Sequence, residues 1–148
     1  MKLTFAAAFA LLAAVLFLPS LASAQEHPAY LHALSDLRDA RAHLERPDGG
    51  ALRAEERHAV HDINEAIDEI KKAAIDDRKN PNEHVAVDPH MPWGGRLHQA
   101  LELLDKAQRD VSEEEDRGRT RGLQHRALLH IDAARHHVRE AIEIAERH

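Results

Sequence analysis

The sequence predicts an all-α protein, a four-helix bundle made of two similar helical hairpins, with an export signal ahead of it. Three observations lead there. Apolar residues recur at the helical period in four stretches, and none of these shows the alternation of a half-buried strand. All six glycines, at 49, 50, 94, 95, 118 and 122, fall between those stretches. With residues 1–24 set aside, Trp93 and Tyr30 are the only aromatic residues. The core must therefore be Leu, Ile, Val and Ala, which suits close helix packing better than a β-sandwich.

Residues 1–24 read as a signal peptide. Lys2 precedes an apolar run from Phe5 to Leu18, Pro19 breaks it, and Ala22-Ser23-Ala24 offers the small residues a signal peptidase accepts. The run is short for a bilayer span. The expected mature protein is one domain, 25–148, exported to the periplasm or the extracellular space, with no membrane span after cleavage.

The first helix is expected from Pro28 to Glu45, with Tyr30, Ala33, Leu34, Leu37, Ala40 and Leu44 on one face. Arg46-Pro47-Asp48-Gly49-Gly50 ends it. The second runs from about Ala51 to Asp77 and carries Ala59, Val60, Ile63, Ala66, Ile67, Ile70 and Ala74. A third begins near Pro92 or Gly95 with Leu97, Leu101, Leu104, Ala107 and Val111. The fourth follows the Gly118–Gly122 turn with Leu123, Ala127, Ile131, Ala134, Val138, Ile142 and Ala145. A shift of 67 lays Leu34, Leu37, Ala40 and Leu44 on Leu101, Leu104, Ala107 and Val111. A shift of 68 lays Ala59, Val60, Ile63, Ala66 and Ile70 on Ala127, Leu128, Ile131, Ala134 and Val138. Duplication or shared packing rules would both give this match. The segment Arg78–Met91 can reach roughly 50 Å when extended, so it permits an up-down or a crossover connection. Leu31, Leu103, Leu128 and Leu129 fall outside the stripes and point to a homodimer as one use of the surface.

Charge and composition exclude several functions. Without Lys2 the chain carries 19 basic and 26 acidic residues, a net −7 with histidine neutral. That balance and the lack of aromatic platforms argue against nucleic acid as a partner. There is no cysteine, so neither a disulfide nor a thiol nucleophile is available. Ser35, Ser112, Thr120 and Tyr30 are the only hydroxyl side chains after residue 24, and none sits in a nucleophile elbow. Gly-rich phosphate loops are missing too. Trp93, between Pro92 and Gly94, is expected to plug one end of the bundle. These observations give a non-enzymatic binding or structural module, with an envelope chaperone or stress protein as a further alternative.

Histidine is the unusual component. All 13 lie after residue 24, and six of them have an acid four places later. Such pairs decorate ordinary solvated helix faces, yet imidazole with carboxylate also suits zinc, copper or nickel. The best candidate is His58, His61, Asp62 and Glu65, whose spacings of three, four and seven bring neighbours one turn apart. His32, Asp36, Asp39 and His43 form a second stripe, and Glu83, His84, Asp88 and His90 a third set. A buried di-iron centre would need a Glu-x-x-His from each of two helices. Glu55 and His58 have that spacing, but the corresponding Leu123 and Arg126 cannot coordinate.

The stretches HPAYLHALSDLRDARAHLERP (27–47), EAIDEIKKAAIDD (65–77) and RALLHIDAARHHVREAI (126–142) resemble small exported helical proteins of environmental bacteria whose function is uncharacterised. The resemblance spans most of the chain after the signal and implies an exported helical domain. It implies no activity, ligand or site residue.

Cleavage after Ala24 would also create a candidate metal site of another kind, Gln25-Glu26-His27. Its terminal amine, the two deprotonated amides and the His27 imidazole can surround copper or nickel in a plane. One equivalent of copper added to protein with a free Gln25 amine is expected to give the visible band of square-planar nitrogen coordination. His27→Ala should abolish it, and a missing band with the amine verified by mass spectrometry would exclude the site.

Overall fold

Each apolar stripe becomes the buried face of one helix. The computed structural model describes residues 28–45, 53–72, 80, 82–113 and 121–147; the export segment and the Gln25-Glu26-His27 terminus lie outside the described residues. The helices are α1 (Pro28–Leu44), α2 (Ala54–Lys72), α3 (Trp93–Glu113) and α4 (Arg121–Glu146). Tyr30, Leu34, Leu37 and Leu44 of α1 meet Ile63 and Ile70 of α2, Leu97 and Leu104 of α3, and Ile131 and Val138 of α4 in one continuous core. Leu103 belongs to that core as well, whereas Leu101 is only partly buried. This corrects the sequence reading of α3. The helix packs on both α1 and α4, so its apolar face is wider than a single stripe. Leu128 is also packed against the core, which leaves Leu31 and Leu129 as the exposed members of the four. Among the described residues, no helix is long and apolar enough to cross a membrane.

Which ends meet decides the connectivity. Arg96 Nη1 at the start of α3 donates to the His43 carbonyl at the end of α1, 3.2 Å away. That bond satisfies one of the carbonyls a helix terminus leaves open. Trp93 Nε1 donates to Glu56 Oε1 in the first turn of α2 at 2.8 Å. At the other end, Arg126 near the start of α4 reaches Glu69 near the end of α2. Thus α2 and α3 run parallel across one diagonal, α1 and α4 across the other, and each helix touches its two antiparallel neighbours. This is a crossover bundle. The end of α2 and the start of α3 therefore lie at opposite ends of the bundle, about 28 Å apart, the length of α2.

Local chemistry holds the return segment in place. Asn80 accepts from the amides of Asn82 and Glu83, and Asp88 accepts from those of His90 and Met91, two turns of the Asx kind. Between them the Val85 amide donates to Asp39 of α1 at 2.8 Å, and Arg41 of α1 reaches Asn82.

Glu56 is buried in the centre of this end, with 1% of its surface exposed. One oxygen accepts from Trp93, and the other from the Arg53 amide at 2.8 Å, the reach-back of a capping box. The Arg53 guanidinium lies 3.2 Å above the Trp93 ring. Trp93 is partly buried and packs against the core at this end, where it donates to the buried Glu56 carboxyl. Trp93→Phe should therefore lower unfolding free energy by about 1–3 kcal/mol, because a buried oxygen loses its donor. Urea denaturation followed by circular dichroism measures this, and a variant within 0.5 kcal/mol of wild type (roughly the effect of an ordinary surface substitution) would contradict it.

Candidate metal centre

The α2/α4 interface is apolar inside, through Ala59, Ile63, Ala66, Ala127, Ile131 and Ala134, and polar along its outer seam. A shift of 68 that relates the two helices also relates the two halves of this seam. Asp62 corresponds to His130, and these two face each other across it at 3.8 Å. On one side of that pair Glu69 binds Arg126, with Oε2 at 3.0 Å from Nε and 2.9 Å from Nη2. The same shift converts Glu69 and Arg126 into His137 and His58, and those two imidazoles meet on the other side with ring centroids 5.0 Å apart. One end of the seam is closed by a permanent ion pair. The equivalent place at the other end holds two histidines.

Glu55 joins them. Its Oε2 lies 2.9 Å from His137 Nδ1 and 3.9 Å from His58 Nδ1. Glu55, His58 and His137 each present one ligand atom, all within 4.8 Å of one another. Glu140 Oε2 is 3.5 Å from His137 Nδ1, and Asp62 Oδ2 is 3.8 Å from His137 Nε2. The His58 side chain is 60% exposed while those of Glu55 and His137 are 25% exposed, so solvent reaches a site whose other two groups are held by the helices. The His137 imidazole keeps the Glu55 carboxyl below the usual carboxylate range, against the opposing effect of burial, and Glu140 and His58 reinforce it. Two imidazoles and a carboxylate are a donor set that zinc and its neighbours accept.

Of the residues singled out by spacing, the structure brings His58 and Asp62 to this seam. His61 is exposed and Glu65 half-buried on α2, and neither joins the cluster. The other two histidine sets do not converge either. Asp36 faces α3 in an open groove of about 350 Å³ with His32, Ser35, Lys106, Arg109 and Asp110. Burial and then Asp110 push its carboxyl up. Asp39 is used by the Val85 amide, and His43 lies half-buried, its imidazole pushed down chiefly by burial. His84 Nδ1 turns to the Val85 carbonyl, and Asp88 holds its turn. His137 was not picked out from the sequence. The shift that pairs Glu69 with His137 and Arg126 with His58 was the signal that could have found it.

No protein-family model, curated protein or solved structure matches this chain.

The permanent end of the seam makes a pH prediction. Arg126, and then Lys72, hold the Glu69 carboxyl below its ordinary value of 4.5. A depressed carboxylate stabilises the fold above its unfolded pKa, and that contribution disappears as pH falls through the folded value. The melting temperature should accordingly drop as pH falls below about 4.5, the ordinary value. Glu69→Gln should melt several degrees lower at pH 7 and show a shallower acid limb. Parallel acid limbs in the two proteins would assign the effect elsewhere.

Proposed function

We propose that this chain is an exported binding module that takes up one divalent transition-metal ion where α2 meets α4. The observation that carries the reading is the convergence of Glu55, His58 and His137, from helices 82 residues apart in sequence, on a space the size of a coordination sphere. The charges favour it as well. Glu55, Glu140 and Asp62 surround His137, so three acidic side chains are gathered where a cation would sit. The export signal read from the sequence would place the site outside the cytoplasm, where ions arrive from the surroundings.

An ion that binds only the folded chain stabilises it by about 2.7 kcal/mol at a hundredfold excess over its dissociation constant. For a domain this size, that amounts to a rise of about 10 °C in melting temperature. Chelator-treated protein titrated with zinc or cobalt should show this rise and bind one such ion by equilibrium dialysis. His137→Ala and His58→Ala should lose both responses, which places the ion at the seam. If wild-type protein neither retains nor is stabilised by either ion, the proposal fails.

A further inference from the structure

We infer, on the basis of that reading, that Glu140 is the fourth ligand and Asp62 the orienting partner of His137, making the seam a tetrahedral two-histidine, two-glutamate site for a zinc-class ion. Spacing carries the first half. On α2 the order is Glu55-x-x-His58, and on α4 it is His137-x-x-Glu140. Because the helices are antiparallel, the reversed order sets Glu140 beside Glu55 and His137 beside His58. Two ligand atoms bound to one tetrahedral ion at about 2.1 Å stand about 3.4 Å apart. The separations here are 2.9 Å for His137 Nδ1 to Glu55 Oε2, 3.5 Å for His137 Nδ1 to Glu140 Oε2, and 3.9 Å for His58 Nδ1 to Glu55 Oε2. They bracket the coordination value; Glu140 lies beside the three groups that already share one 4.8 Å space, and its carboxylate would turn inward from His137 to complete the set. The other oxygen of Glu140 is 3.3 Å from His136 Nε2, which steadies it.

The second half follows from the imidazole itself. His137 turns Nδ1 toward both glutamates, so an ion bound there leaves the proton on Nε2. That nitrogen faces Asp62 Oδ2 at 3.8 Å, while Asp62 Oδ1 faces His130 Nδ1 at the same distance. A carboxylate set behind a ligand imidazole fixes its tautomer and ring orientation, and removing such a partner typically costs 10–100-fold in metal affinity. Asp62 is thus a positioning residue, although its spacing from His58 suggested a ligand.

Cobalt(II) separates the roles, because four-coordinate cobalt absorbs visible light far more intensely than six-coordinate cobalt. Wild-type protein should give the intense spectrum. Glu140→Gln should weaken it toward the octahedral form and lower affinity at least tenfold. Asp62→Ala should keep the intense spectrum yet bind 10–100-fold more weakly, and Asp62→Asn, whose amide oxygen can still accept from Nε2, should regain most of the loss. Metal-free melting temperatures close to wild type confirm that the variants are folded. A weak wild-type spectrum, or wild-type affinity and spectrum in both Glu140→Gln and Asp62→Ala, overturns the inference while leaving the three-group site standing. Absence of any cobalt or zinc binding overturns both.

Discussion

The architecture depends on a buried carboxyl group at one end of the bundle. Glu56 is almost wholly shielded from water, and a polar group in such a place must be given hydrogen-bond partners. Two of its donors are the amide of Arg53, from its own helix, and the indole of Trp93, the first residue of α3. Satisfying Glu56 therefore brings the start of α3 to the start of α2. The return segment must then traverse the bundle, and α2 and α3 must run parallel. In an up-down bundle α2 and α4 would face each other across a diagonal, with the core between them. Here they are neighbours, and their outer seam becomes a place where side chains from both can meet.

How much of this the sequence disclosed varies with the range of the interaction. The four helices were legible because burial repeats at the helical period, as Leu34, Leu37 and Leu44 show in α1. Connectivity was not legible. The segment from Arg78 to Met91 is long enough for either arrangement, and the bond that chooses between them joins residues 37 apart. The site was half legible for the same reason. Spacing within α2 finds His58 and Asp62, but it equally selects His61 and Glu65, which lie away from the seam. A helix shows many surface neighbours, and only packing against another helix says which stripe counts.

The internal match between hairpins gives the seam its asymmetry. Asp62 and His130 occupy equivalent positions and face each other, so the relation passes through that pair. On one side the equivalent positions hold Glu69 and Arg126, a fully ionised pair that needs no ligand. On the other they hold His137 and His58, whose mutual contact is neutral or repulsive unless carboxylates and a cation intervene. The same backbone frame thus serves as a fixed fastening at one end and as a set of donors at the other.

The crossover connection also bears on how the molecule folds. Helical bundles usually fold quickly because most of their contacts are local. In this one the interfaces that bury the core join α1 to α3 and α2 to α4, and the contacts along the seam span 57 residues between Glu69 and Arg126 and 82 between Glu55 and His137. Loop closure must be largely complete before those contacts contribute. The seam thus closes some of the longest loops in the chain, and its histidines, which are strangers in sequence, become neighbours only in the complete fold.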